Sequence, residues 1–146
     1  MFRSIVVGTD GSATAQRAVA TAARLAKAVG AEVHVVSAHN PLGSAQAVAA
    51  AYVVADIIDP TDGGVRDVVD EAVAAVRASG VDAHGHAVVG DPVSALLEVA
   101  QRESADLVVV GNRGMHGLKR ALGSVPNSIS HRAACSVLIV STDSPD

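Results

Sequence analysis

The stretch "VVVGNRGMHGLKRALGSVPNSIS", residues 108–130, decides the fold of this chain. It continues an apolar run that begins at Leu107 and ends at Val110, which is typical of a strand buried on both faces. The run is followed by a loop that contains four glycines: Gly111, Gly114, Gly117 and Gly123. A helix is expected to begin directly afterwards, at Ser124. Because glycine permits backbone angles and close approaches that side chains forbid, this unit predicts a ligand against the loop.

The same alternation of apolar run and helical segment repeats along the chain. The expected strands are Ile5–Val7, 31–38, 81–89, 105–110 and 135–141. Helical spacing of apolar residues covers 12–29 and 65–76, a third helix opens at Asp91-Pro92, and the fourth begins at Ser124. Gly30 is expected to end the first helix, and residues 39–62 to form a long irregular connection.

Strands that alternate with helices predict an α/β protein with a parallel sheet and helices on both faces. We therefore expect residues 1–146 to form one Rossmann-like, flavodoxin-like domain with a doubly wound sheet of strand order 3-2-1-4-5. Ligands in such sheets bind beyond the carboxyl ends of the strands, where the winding reverses. Strands one and four meet at that point, and both end in Gly-x-x-Gly, at Gly8–Gly11 and Gly111–Gly114.

Composition excludes several classes of protein. The chain has 146 residues, 49% of them apolar and 18% charged, which fits a folded domain. Phe2 and Tyr52 are its only phenyl or phenol side chains, and the net charge is −4, so nucleic acid is not an expected partner. One cysteine, Cys135, excludes an internal disulfide. No apolar run is long enough for a signal peptide or a membrane span, so a cytoplasmic protein without membrane contact is expected.

The charge pattern around the glycine-rich loop indicates an anion. Between Leu107 and Thr142 the acidic chain has no Asp or Glu. The same segment has four basic residues: Arg113, Lys119, Arg120 and Arg132. Ser124 is a candidate N-cap, so the unpaired amides of the following helix turn would face the loop. Glycine-rich loops before a helix commonly bind phosphate, and a phosphate group is therefore the predicted ligand.

Several familiar phosphate motifs do not fit. The chain has no G-x-x-x-x-G-K-[ST], and "GTDGSA" after the first strand is not G-x-G-x-x-G. A flavin site would need aromatic stacking that this composition lacks. A receiver-domain phosphoacceptor would need an acidic partner beside Asp10 and a Lys after "VLIV", and neither is present.

Three segments resemble the universal stress protein family: "IVVGTDGS", "ADLVVVGNRG" and "GSVPNSISHRAACSVLIV". The resemblance covers nearly the whole chain and is weakest over 40–62. ATP-binding members of that family have G-x2-G-x9-G-[ST], whose amides and hydroxyl hold phosphates. Here Gly111, Gly114 and Gly123-Ser124 match it, but eight residues rather than nine separate Gly114 from Gly123.

The resemblance also implies a set of nucleotide-binding residues. It places Asp10 at the ribose or adenine with Thr9 beside it, the backbone of Ala38 at the adenine edge, and Val110 in the pocket wall. The residues implied at the phosphates are Gly111, Gly114, Gly123, Ser124 and Val125. Arg113, on the loop, completes the candidate set, although a single loop cation is most often a solvated surface charge.

The resemblance implies a stress-response sensor or modulator that binds an adenine nucleotide. ATP is the first candidate ligand, and Mg²⁺ could bind together with it. The shorter loop keeps AMP and cyclic AMP as alternatives, together with a nucleotide-free member that acts only through protein contacts. No catalytic apparatus is evident, so no enzyme is predicted beyond slow, incidental ATP hydrolysis. In the family the last strand, here Ser136–Ser141, pairs with its copy, which predicts a homodimer.

His84 and His86 are candidate metal ligands. His84 and His86 lie at i and i+2 on one face of the third predicted strand, a spacing that can bind a metal ion. The sequence suggests no third ligand, so no metal site is predicted.

Overall fold

The computed structural model describes residues 1–39, 64–112 and 125–142, in which helices flank a parallel sheet. Its strands are β1 (Ser4–Gly8), β2 (Glu32–His39), β3 (Ala83–Val89), β4 (Leu107–Gly111) and β5 (Ser136–Val140). The helices in these ranges are α1 (Ala13–Val29), α2 (Gly64–Ala78), α3 (Pro92–Arg102) and α4 (Val125–Arg132). The strand order is β3-β2-β1-β4-β5. The predicted fold class and strand order are confirmed.

β1 and β4 lie side by side inside the sheet, with β2 and β5 on their outer sides. Val6 pairs with Val108 and Val7 with Val109, and all four residues are fully buried. The edge strands β3 and β5 are more exposed, as the 45% exposure of Val89 and the 46% exposure of Ile139 show. The apolar run Val137–Val140 of the edge strand β5 is as long as that of β4, so an apolar run by itself does not identify an inner strand.

Alternating side chains of the strands divide the core into two layers. Ile5, Val7 and Val109 face α1 and α2 in one layer. Val6, Val108 and Val110 face α3 and α4 in the other. This separation follows from the period of two along a strand, and it places a helix-covered hydrophobic core on each side of the sheet.

The helices begin and end where their capping residues predict. Ser12 caps α1, since its side-chain oxygen accepts a hydrogen bond from the Ala15 amide at 3.2 Å. Gly30, with φ of 74°, ends α1 in the left-handed conformation that favours glycine. Asp91 caps α3 by accepting from the Ser94 amide at 2.9 Å. The sharp start of α3 fixes Pro92 at the carboxyl end of the sheet.

Two predictions of secondary structure fall outside the described residues. They are the irregular connection over 39–62, apart from His39 at the end of β2, and the start of the last helix at Ser124. Among the helices that are described, none is both long enough and apolar enough to cross a bilayer.

Candidate functional site

A pocket opens where β1 and β4 end side by side, and we call it the β1–β4 pocket. Its described lining comes from both strand ends, from β2, and from three helices. The lining residues are Gly8, Thr9, Asp10, Ala15, Val36, Ala38, Pro92, Leu96, Val110, Gly111 and Val125. The pocket thus lies at the reversal of winding, where ligands of doubly wound sheets bind.

The turn after β1 holds Asp10 at the pocket. The Thr9 amide donates to the Val36 carbonyl at 2.9 Å, which ties the turn to β2. Thr9 Oγ1 accepts from the Gly11 amide at 3.2 Å, and Asp10 Oδ1 accepts from the Ser12 amide at 2.9 Å. Because Ser12 caps α1, the Asp10 carboxylate does not serve as the cap and stays exposed beside the pocket.

The turn after β4 is fixed by the chain that follows β5. Asn112 Oδ1 accepts from the Thr142 amide at 2.9 Å and from the Thr142 hydroxyl at 2.5 Å. A β-carbon at Gly111 would lie 3.3 Å from Thr142 Cγ2, so this glycine makes room for the C-terminal segment. The expectation that a ligand alone explains the glycines is therefore too narrow, because packing accounts for Gly111.

Gly8 has a similar packing reason. A β-carbon at position 8 would lie 3.1 Å from Leu96 Cδ1, so α3 approaches the end of β1 closely. This approach places Leu96 and Pro92 in the pocket wall. The absence of a side chain at position 8 therefore leaves room for Leu96 of α3 close to the end of β1.

The described walls are apolar, and they have one charged side chain. Val36, Ala38, Leu96 and Val110 supply hydrocarbon surface, and Asp10 is the only ionisable residue among the described lining residues. Such a lining suits a flat, largely apolar group that has one or two hydrogen-bond donors. The Asp10 carboxylate can accept hydrogen bonds from those donors. It offers no described nucleophile paired with a base.

The structure brings together every predicted binding residue that it describes. Thr9, Asp10, Ala38, Val110, Gly111 and Val125 all line the β1–β4 pocket. The other predicted residues lie outside the described ranges: Arg113, Gly114, Gly123 and Ser124. Their proposed contacts with phosphate remain predictions.

Sequence reasoning missed part of the lining. The sequence predicts Val36 as part of a strand, Pro92 as the start of a helix and Leu96 as a core residue. It predicts Ala15 as part of a helix face, and all four line the pocket. Val36 could have been found, because it lies on the strand next to β1 and near its carboxyl end. Pro92 and Leu96 carry no comparable local signal, since their place depends on how α3 crosses the sheet.

Comparison with protein families decides the relationship that the motifs suggested. The model of the universal stress protein family matches residues 1–141 of this chain. The chain belongs to the universal stress protein family. The resemblance seen in the strand-end motifs is thereby confirmed at the level of the family.

Relatives of this universal stress protein span almost the whole chain. Universal stress protein Rv1636 of Mycobacterium tuberculosis is 37% identical over an alignment of 145 residues, and the match covers 97% of each chain. A universal stress protein crystallised in complex with cAMP is 35% identical, with a TM-score of 0.74 over 97% of this chain and 98% of the other. UspA from Lactobacillus plantarum, at 22% identity, has a TM-score of 0.78 over 94% and 97%, and it supports the fold alone.

Proposed function

We propose that this universal stress protein binds an adenine nucleotide in the β1–β4 pocket and acts as a nucleotide-dependent sensor or modulator in the stress response. One observation carries the proposal: all the described residues that the sequence assigned to a nucleotide line one pocket. That pocket lies at the switch point of the sheet, between the ends of β1 and β4.

The shape and chemistry of the pocket suggest how the nucleotide lies. The adenine ring packs against Val36, Ala38 and Val110, whose surfaces are apolar. Asp10 accepts hydrogen bonds from ribose hydroxyls or from the adenine amino group. The phosphate lies towards Gly111 and Val125, where the end of β4 and the first turn of α4 adjoin the pocket. Helix amides at that turn favour an anion by about 0.3–1 kcal/mol.

A nucleotide with one phosphate is the favoured ligand, and ATP becomes the second candidate. The loop between Gly114 and Gly123 is one residue shorter than the pattern of the ATP-binding members. A relative that is 35% identical over nearly its full length has a structure in complex with cAMP. Both observations support cyclic AMP or AMP over the triphosphate with Mg²⁺.

We infer that the pocket binds the nucleotide without catalysing a reaction. Among the described lining residues, Asp10 has no second acid–base group beside it. We also infer a homodimer through β5, which is an edge strand whose Ile139 side chain is 46% exposed. The cytoplasmic location expected from the sequence stays a prediction.

Two measurements test the proposal directly. The purified protein is denatured, and the released small molecules are identified by mass spectrometry. Nucleotide-free protein is then titrated calorimetrically with cyclic AMP, AMP and ATP, the last with and without Mg²⁺. We expect micromolar binding, about −8 kcal/mol, for at least one of the monophosphates. No heat with any adenine nucleotide would reject the proposal and favour a member that acts through protein contacts only.

A further inference from the structure

A cluster of three histidines lies on the sheet face that α3 covers, away from the β1–β4 pocket. His34 is the third residue of β2, and it pairs in register with His84 of β3. His86 follows two residues later, so its side chain is on the same face. The ring centroids of His84 and His86 lie 5.1 and 5.2 Å from that of His34. The pairing of β2 with β3 therefore brings His34, a candidate ligand that the sequence did not reveal, next to His86.

The hydrogen bonds of this cluster have a fixed direction. Arg102 Nη2 lies 3.0 Å from His86 Nδ1, and since arginine can only donate, that nitrogen accepts. His86 Nε2 therefore carries the proton and donates to His34 Nδ1 at 3.0 Å. His34 Nε2 in turn donates to Glu32 Oε1 at 3.3 Å. Arg102 at one end of this series of hydrogen bonds and Glu32 at the other thus hold both rings in defined tautomers.

We propose that His34, His86 and Glu103 form a binding site for a divalent transition-metal ion such as Zn²⁺. One ligand atom from each of the three residues lies within 4.8 Å of the other two. His34 Nδ1 and His86 Nε2 are 3.0 Å apart. Two ligands at zinc–nitrogen distances in a tetrahedral site are roughly 3.3 Å apart, so this pair needs only a small adjustment.

The donor set selects the class of ion. Two imidazoles and one carboxylate suit zinc, copper, nickel or cobalt, whereas magnesium and calcium prefer oxygen ligands alone. Three protein ligands leave a fourth position for water. The site is also sheltered, since the side chain of His34 is only 5% exposed.

Glu32 completes the arrangement behind His34. Metal-binding histidines usually donate their second ring N–H to a carboxylate or carbonyl, which fixes the ring and strengthens the ligand. The bond from His34 Nε2 to Glu32 Oε1 has this role, and it leaves the lone pair of Nδ1 facing His86. The same carboxylate lies 3.4 Å from His84 Nε2. His34 is therefore oriented as a ligand before any ion binds.

Arg102 competes with the ion for the same two side chains. It donates to His86 Nδ1 at 3.0 Å and, through Nε, to Glu103 Oε1 at 3.1 Å. When Nε2 of neutral His86 binds an ion, its proton moves to Nδ1, which then faces the Arg102 donor. Arg102 must therefore swing away, and its 53% exposed side chain has solvent to move into. Removing this arginine should strengthen metal binding, which a merely structural cluster does not predict.

The test is a calorimetric titration of the full chain, freed of nucleotide and metal, with Zn²⁺. We expect one ion per chain, with affinity about 10-fold or more weaker in His86→Gln and in Glu103→Gln. Arg102→Met, which keeps the length of the side chain without its charge, should bind about 10-fold more tightly. His131→Gln, at an exposed position of α4, is the matched control and should bind like the parent.

Three results would overturn the proposal: no stoichiometric Zn²⁺ binding, unchanged affinity in both His86→Gln and Glu103→Gln, or no gain in Arg102→Met. Circular dichroism checks the fold of each variant, and Glu103→Gln, on a partly exposed residue, decides the matter if His86→Gln does not fold. Co²⁺ in place of Zn²⁺ gives a second readout, because its visible absorption bands report tetrahedral nitrogen and oxygen ligands. The proposal does not depend on the nucleotide, which lies at the other end of α3.

Discussion

Gly85 of β3 lies so close to Val69 of α2 that a β-carbon at position 85 would stand 2.5 Å from Val69 Cγ1. Valine has a stiff side chain, and Val69 is 3% exposed within the core layer of α1 and α2. The absence of a side chain at position 85 is therefore what lets α2 pack onto this edge of the sheet.

Gly85→Ala should lower the free energy of unfolding by about 1–3 kcal/mol, because the added methyl group overpacks the core. Gly64→Ala is the control, since a β-carbon there has no heavy atom within 4 Å. Urea unfolding followed by circular dichroism measures both. Adding Val69→Ala to the Gly85→Ala chain should cost less than Val69→Ala costs in the parent; strictly additive losses would contradict this account.

Most of the fold could be predicted from local sequence. The alternation of apolar runs with helical spacing predicted a parallel sheet between two helix layers, and Gly30 and Asp91 marked helix ends that the structure confirms. These signals are local, because capping and two-sided burial depend on a few adjacent residues. Contacts such as Gly85 with Val69 depend on how a helix crosses a sheet, and no short stretch of sequence encodes them.

The carboxylate of Asp106, just before β4, binds the start of β1. Asp106 Oδ2 accepts from the backbone amides of Arg3 at 2.6 Å and Ser4 at 3.0 Å. These two hydrogen bonds lower the pKa of Asp106 below its ordinary value of 3.8. The charged form is thus favoured in the folded chain, and the two central strands are linked by it.

The stability that Asp106 contributes should disappear in acid. A carboxyl group whose pKa is lower in the folded state stabilises the fold above its unfolded pKa, and the contribution is lost as pH falls through the folded pKa. Asp106→Asn should therefore unfold at lower urea than the parent at pH 7, with the difference shrinking towards about pH 3. Asp82→Asn controls for the loss of a surface negative charge. A difference that stayed constant from pH 7 to pH 3 would count against this role.

The two edge strands offer a matched test of the proposed homodimer. Ile139 of β5 and Val89 of β3 are exposed to nearly the same extent, 46% and 45%. Ile139→Lys should convert the dimer to a monomer in analytical ultracentrifugation, because lysine on an edge strand opposes pairing with a second strand. Val89→Lys should leave the dimer intact. Dissociation by the second variant but not by the first would assign the interface to β3 instead.

The candidate sites differ in how far the sequence could reveal them. Thr9, Asp10 and Gly111 lie at the carboxyl ends of buried strands within recognisable motifs, so the family resemblance located them. The histidine cluster could not be found in this way. His34 and His86 are 52 residues apart, and only the register of β2 against β3 places them in contact. Strand register depends on the packing of the whole sheet rather than on either segment.

Ala38 lies in the apolar wall of the β1–β4 pocket. Ala38→Leu should abolish or greatly weaken nucleotide binding, because the larger side chain fills the space assigned to adenine. Ala74→Leu is the control, as it adds the same atoms at an exposed position of α2. Calorimetry with cyclic AMP, AMP and ATP measures the affinity, and thermal unfolding checks the fold. Full affinity in Ala38→Leu would show that the base binds elsewhere.

Asp10→Asn tests the polar side of the same pocket without breaking the turn. Asparagine keeps the oxygen that accepts from the Ser12 amide, so the backbone after β1 should hold its shape. The charge and one acceptor are lost, and charge-assisted hydrogen bonds contribute about 1.5–3 kcal/mol, so affinity should fall by roughly 10- to 100-fold. Asp82→Asn again controls for net charge. If Asp10→Asn bound as tightly as the parent while Ala38→Leu did not bind, the base would occupy the apolar wall with the ribose turned away from Asp10.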